Sequence, residues 1–227
     1  MPRKRLTRER VLRTALRLAD KGGVDSLTMR RLARELGIEA MSLYNHVGNK
    51  GELVDAIVDL VVEEIELPGP DEPWDVAVKR CAISAHETFV RHPWACSLAM
   101  GASSTAAPRR ARLRYMDWLL GRLREAGFEA DLAYHAYHAI DAHIFGFTLW
   151  QLAHAQAARG ASPRKLEELV KSLVPKLREE GFPHVAEHAE QHLEAEPGEG
   201  AREFEFGLDL ILDGLKQSRR QAARRHR

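Results

Sequence analysis

Leu27 to Lys50, LTMRRLARELGIEAMSLYNHVGNK, is the stretch on which the fold turns. It reads as two short helices joined by a tight turn. Leu32, Ala33 and Leu36 make one apolar stripe, and Leu43 and Val47, four residues apart, make a second. Gly37 stands between them, where a chain reversing direction can take a positive φ without a Cβ clash. Ala33 is small enough for the second helix to cross close by, and Ile38 fills the corner. On the second helix Ala40, Leu43 and Val47 face inward, while Met41, Ser42 and Asn45 project outward. A helix-turn-helix of this kind lays its second helix in the major groove of DNA. An ordinary corner between two core helices has the same spacing, so the pattern alone leaves both readings open.

Charge favours the first. Residues 1–50 carry twelve Lys/Arg against five Asp/Glu, whereas residues 51–215 carry sixteen against twenty-eight. The last twelve residues add six basic side chains and no acid. The overall charge of +1 therefore hides a basic head on an acidic body. Clustered cations are what phosphate contacts need, and here they coincide with the helix-turn-helix.

At 227 residues the chain is long enough for one large domain, or one small and one medium. Apolar residues make up 44% and charged residues 30%, the balance of a soluble globular protein. No run approaches the length of a membrane span, and the basic start lacks the apolar core of a secretory signal. A cytoplasmic protein is expected. Cys81 and Cys96 form no CxxC pair, which points to reduced thiols rather than zinc or a disulfide.

Along the chain, Arg3 to Arg5 read as a basic arm or a loose terminus. Thr7 can cap a helix running to about Lys21, ended by Gly22 and Gly23, and Ser26 or Thr28 then caps the first helix of the motif. Asn49 caps a longer helix over 49–66, with Glu52 three residues on in the manner of a capping box. Its N-terminus, with Lys50, is placed to meet a phosphate. LPGPDEP at 67–73 reads as a linker. Beyond it helical periodicity dominates, with helices expected near 74–91, 93–101, 107–126, 130–158, 163–180, 183–194 and 201–217. The expected plan is all-α: a DNA-binding domain at 1–50 with its connecting helix to about 66, a helical effector-binding and dimerisation domain at 67–217, and a basic tail at 218–227.

The head sequence LTMRRLARELGIEAMSLYNHVGNKGELVDAI, with its Leu-Tyr-x-His-Val run and the Asn-Lys at 49–50, resembles the TetR family of transcriptional regulators. FEFGLDLILDGLK, Phe204 to Lys216, is similar to the final dimerisation helix of the tetracycline-repressor-like subgroup. The resemblance implies an all-α homodimer that represses transcription and releases a palindromic operator when a small molecule binds. The residues of the last helix agree: Phe204, Leu208, Ile211 and Leu215 form a broad apolar stripe, and Gly207 and Gly214 lie one heptad apart, allowing close backbone approach. Gly207, Leu208, Ile211, Gly214 and Leu215 are the expected dimer contacts, with packing inside one protomer the alternative. A two-fold protein also suits a palindromic site.

By motif position Arg30 resembles a base-contacting arginine, chemically suited to guanine O6 and N7. Ala40 and Met41 occupy the first turn of the recognition helix, where the family reads bases. Both are apolar here, so they can touch a thymine methyl but donate no hydrogen bond, which implies a different operator from that of the tetracycline repressors. Thr28, Ser42, Tyr44, His46 and Lys50 match phosphate-holding positions, and Asn45 projects beside them. For His46 a partly buried capping role is the alternative.

An effector cavity is expected inside the 74–180 helices, walled by apolar and aromatic groups with few polar ones. Its candidates are His86, Phe89, Trp94, Leu98, Met100, Tyr115, Trp118, Tyr137, His138, Phe145 and Trp150. The helix over 49–66, shared by both domains, is the expected lever between effector and head. His135, His138 and Asp141 recur at i, i+3 and i+6, but the last has drifted round the helix, so polar packing is expected rather than a metal. The position that binds the drug's magnesium in tetracycline-responsive members falls near Ala99, and an acidic partner near Trp150. Both departures argue against tetracycline-magnesium, and no cofactor is expected. Two other readings stand beside this one: a DNA-binding protein without an effector, and a helical enzyme. The enzyme would need a nucleophile beside a base. Cys81 with His86 and Cys96 with His92 are the cysteine pairings close in sequence, and no Gly-rich phosphate loop or HExxH is present.

Overall fold

The computed structural model describes residues 6–101, 109–157, 163–194 and 199–225. Helices occupy nearly all of them, and no strand occurs among the described residues. In chain order they are α1 (Arg8–Gly22), α2 (Met29–Leu36), α3 (Ala40–Leu43), α4 (Lys50–Glu63), α5 (Trp74–Arg91), α6 (Pro93–Met100), α7 (Arg110–Glu125), α8 (Ala130–Ala157), α9 (Pro163–Glu179), α10 (Pro183–Glu194) and α11 (Glu199–Arg225). Arg3 to Arg5, where a basic arm is expected, lie outside the described residues.

The helix starts follow side-chain chemistry. Thr7 Oγ1 accepts from Arg10 N, and Thr28 Oγ1 accepts from Arg31 N, each at 3.2 Å. Thr28, not Ser26, therefore caps α2. Ser26 instead donates to Gly23 O and accepts from Arg31 Nη1 at 2.7 Å. Asn49 Oδ1 accepts from Glu52 N at 2.9 Å, while the Glu52 carboxylate accepts from Gly48 N at 2.9 Å and from the Asn49 side-chain amide at 3.4 Å rather than from the backbone N–H of the cap residue. Gly37 ends α2 at φ 68°, ψ 38°, where Ile38 N reaches back to Ala33 O at 3.0 Å. A side chain there would hold the backbone in the left-handed region at a cost of about 1–2 kcal/mol.

The chain packs as two compact units, residues 1–149 with 208–227, and residues 150–207. The linker at 67–73 is not where packing divides, because α4 touches α1 as well as α5, α6 and α7. Within the first unit the head has its own core. Val11, Leu12, Ala15 and Leu18 of α1 meet Leu32, Ala33 and Leu36 of α2, Leu43 and Val47 beyond the turn, and Leu53 and Ile57 of α4, all buried. Proline and glycine do not make 67–73 loose. Trp118 Nε1 donates to Pro68 O at 3.0 Å, while Arg122 donates to Pro70 O at 3.4 Å and Glu72 O at 2.6 Å. Arg80 reaches Glu66 and Glu72, and Ser84 Oγ accepts from Glu66 N at 2.9 Å.

The basic tail expected at 218–227 continues α11 as far as Arg225. Its start is anchored to α5 and α7: Lys216 pairs with Asp75 at 3.0 Å, and Arg219 donates to Ala126 O at 2.8 Å with its guanidinium over Trp74 and Phe128. In the second unit α9 and α10 form an antiparallel pair turned at Gly181, with φ 85°, and clasped by Arg178 and Glu190 at 2.7 Å.

Candidate nucleic-acid interface and effector region

The reading surface begins with what anchors it. Leu43 is fully buried and Val47 nearly so, with Ala40 packed on the same core. That orientation turns Met41 outward, 75% exposed, together with Tyr44 and Asn45. Ser42 and His46 are half-buried beside them. Regular α-helix spans only Ala40–Leu43. Beyond it the chain continues as a turn, with Tyr44 N bonding Met41 O at 3.2 Å, His46 N bonding Leu43 O at 2.8 Å and Val47 N bonding the same Leu43 O at 3.0 Å. Arg30 is exposed on the first turn of α2, and Lys50 on the first turn of α4. The Thr28 hydroxyl oxygen is committed to capping, which leaves its O–H as a donor.

The body offers a second polar cluster. Arg112 Nη1 reaches Asp141 Oδ1 at 3.2 Å, and its Nη2 reaches both Asp141 Oδ2 and the Tyr137 hydroxyl, the latter at 2.9 Å. The same guanidinium lies 4.9 Å over Tyr115 and 5.2 Å over Phe145. Burial pushes the Tyr115 phenol well above its usual range, with the Asp141 charge adding to it. Between α5 and α8, the helix that also supplies Tyr137 and Asp141, His86 Nδ1 lies 2.8 Å from Thr148 Oγ1. Thr148 gives its only proton to Ile144 O at 2.5 Å, so the histidine is the donor and carries its proton on Nδ1. Burial, with His143 adding to it, lowers the His86 pKa to about 4, so the ring is neutral at pH 7.

Phe89 and Phe145 are buried with ring centroids 5.1 Å apart, and Tyr137 is buried beside Arg112. Trp94 packs on the head core and donates to Asp20 at 2.8 Å, and Trp118 is tied to the linker. Met100, His138 and Trp150 are exposed, and Leu98 is half-buried with its carbonyl held by Arg109. The sequence reading missed Arg112 and Thr148, whose partners lie 29 and 62 residues away and leave no local pattern.

Asp141 is held by Arg112 and is not available to His135 and His138. No group of three or more His, Cys, Asp or Glu able to hold a metal is found among the described residues. On α11, Leu208 and Leu215 are buried within the protomer. The inward stripe is Phe204, Leu208, Leu212 and Leu215, while Phe206, Leu210 and Gly214 are exposed, with Gly207 and Ile211 between. Burial also pushes both thiols upward, Cys96 to about 12, so neither is a ready nucleophile.

Residues 11–57 match the family described as bacterial regulatory proteins of the tetR family, and residues 67–219 match its tetracyclin repressor-like C-terminal domain. The chain belongs to the TetR family. It is 31% identical over 220 residues to the HTH-type transcriptional repressor DrrR1 of Streptomyces coeruleorubidus, covering 95% of this chain and 79% of that one. With tetracycline repressor protein class D of Escherichia coli it shares 29% identity over 217 residues, 93% of this chain and 90% of the relative. The crystal structure of ActR from Streptomyces coelicolor in complex with actinorhodin matches with a TM-score of 0.74 at 28% identity, covering 95% of this chain and 97% of that one. As a member of the TetR family the chain is a ligand-responsive, DNA-binding regulator of transcription. Among the described residues no helix is long and apolar enough to cross a membrane.

Proposed function

We propose that this TetR-family chain acts as a cytoplasmic homodimeric repressor, carrying no catalysis, that reads a palindromic operator and leaves it when a small aromatic effector binds. The observation that carries the reading is the basic head, in which Leu43 and Val47 are buried so that Met41, Tyr44 and Asn45 stand out toward a groove. Arg30 supplies base discrimination, Ala40 and Met41 touch thymine methyls, and Thr28, Ser42, Tyr44, His46 and Lys50 hold phosphates. Residues 1–50 form the reading domain, α4 links it to the body, and 67–217 serve effector binding and dimerisation. Phe206, Leu210 and Gly214, exposed on α11, support a partner face there.

The Arg112, Tyr137, His86 and Thr148 groups, set among Phe89, Phe145 and Phe147, suit a ligand with flat apolar rings and a few hydroxyl or carbonyl groups. The resemblance to ActR, solved with actinorhodin, supports that class. The test is selection of a binding duplex from random sequence, followed by titration of the complex with aromatic hydroxyquinones. A palindromic consensus, a steep fall of affinity with salt, and release by a ring-bearing ligand are expected. A consensus without two-fold symmetry, or a duplex complex indifferent to every ligand that raises the melting temperature, overturns the proposal.

A further inference from the structure

His92 occupies the corner between α5 and α6, and three helices converge on its ring. Its Nδ1 lies 2.7 Å from Asp20 Oδ1, at the end of α1 in the reading head. Its Nε2 lies 3.4 Å from Glu64 Oε2, at the end of α4. The same Asp20 oxygen accepts the Trp94 indole N–H at 2.8 Å, and the same Glu64 oxygen accepts from Arg91 Nη2 at 3.0 Å. The imidazole side chain is only 12% exposed, and its backbone is fixed by His92 N to Thr88 O at 3.0 Å. Both ring nitrogens therefore face carboxylate oxygens. A neutral imidazole owns one N–H and one lone pair, so it can donate to one of these carboxylates while its lone pair opposes the other. Only the doubly protonated ring serves both. Trp94 adds a contact that needs no proton, since its indole also packs on the head core.

We propose that His92 is a proton-operated latch between the DNA-reading head and the body, so that protons are a second input to this regulator alongside its small-molecule effector. Protonation joins Asp20 of α1 and Glu64 of α4 through one cation, with Arg91, on Glu64, the only other cation paired with these carboxylates among the described residues. As pH rises and the ring loses a proton, one link opens and the head is held by the Trp94 bond and apolar packing alone. Histidine is the side chain whose charge changes in the range where cells vary.

The test uses the full-length protein and its His92→Gln and Asp20→Asn variants. Glutamine keeps a donor for Asp20 but cannot take a charge, and asparagine keeps an acceptor for the Trp94 indole. Hydrogen exchange is followed at the Gly23 amide, which bonds Ala19 O at 2.8 Å beside Asp20. Corrected for the intrinsic chemical rate, its protection should rise at least about threefold between pH 8 and pH 6 in the wild type. The rise should fall below about twofold in both variants. An equal rise in His92→Gln, or none in the wild type, overturns the latch. With a duplex obtained by selection and ionic strength held constant, wild-type affinity should change at least about threefold more than that of His92→Gln over the same range. Parallel binding profiles overturn the claim that protons reach the DNA surface.

Discussion

Replacing Arg109 with methionine tests whether the body holds α4 through one buried cation. Arg109 donates from Nη2 and Nε to the same Asp55 oxygen at 2.8 and 3.2 Å, and the two side chains are 7% and 11% exposed. Its Nη1 donates to Leu98 O and Gly101 O, the carbonyls at the end of α6. One guanidinium thus joins α4, α6 and the start of α7. Methionine fills much of the same space but donates nothing. The buried Asp55 carboxylate then loses the Arg109 guanidinium, a change that costs about 3–5 kcal/mol in comparable buried pairs. Loss of the part-buried bonds to the Leu98 and Gly101 carbonyls adds about 0.5–1.5 kcal/mol. Arg109→Met with Asp55→Leu removes both charges and should lie within about 2 kcal/mol of the wild type. The assay is urea unfolding followed by helical circular dichroism, at one fixed protomer concentration because association contributes to stability. A loss below about 1 kcal/mol in the single variant refutes the reasoning, as does a double variant whose loss equals the two single losses added.

Other outcomes are expected from the same structure. Lys50→Ala should weaken binding to every duplex and flatten the salt dependence, whereas Arg30→Ala should relax preference at one base pair; an unchanged selected consensus in the Arg30 variant counts against that role. Asp59 sits on α4 with one carboxylate oxygen buried and without a hydrogen bond. Burial raises its pKa, against the lowering effect of the Ala111 and Arg110 amides. Its ionised form is therefore disfavoured by folding, and stability falls as pH rises through the interval from the unfolded to the folded pKa. Asp59→Asn should melt higher than the wild type at pH 7, with the gap closing as the solution is acidified; a gap that widens on acidification contradicts the sign. Leu210→Glu, on the exposed side of α11 at 61% exposure, should give a helical monomer in sedimentation, and an intact dimer would move the partner face elsewhere.

The head was legible because its determinants are local. Thr28 and Asn49 sit within three residues of the amides they cap, and Leu32, Leu36, Leu43 and Val47 lie at spacings that only a helical pair can bury together. The body was legible as a succession of helices, since Pro and Gly punctuate it. Its contacts were not. Asp55 and Arg109 are 54 residues apart, Arg112 and Asp141 29, and Asp20 and His92 72, and no periodicity announces a pairing across such distances. The last helix shows a different limit. It carries apolar residues on two sides, and a sequence with two apolar stripes does not say which belongs to the protomer. Phe204, Leu208, Leu212 and Leu215 took the inside, which left Phe206 and Leu210 outside. Even the length of the recognition helix escaped the pattern, because Leu43 and Val47 are buried four residues apart whether 44–46 are regular helix or a turn, and here they are a turn.

The strapping of 67–73 bears on how such regulators can be recombined. Trp118 and Arg122 grip main-chain carbonyls of Pro68, Pro70 and Glu72, so what they recognise is a path rather than a set of side chains. A foreign reading module spliced upstream, if its chain follows that path, inherits a rigid mount without having coevolved with it. Chimeras joined ahead of α4, which keep Asp55 for Arg109 as well as the strap, should therefore transmit the host's ligand response, and those joined behind 67–73, which discard the segment that Trp118 and Arg122 hold, should not.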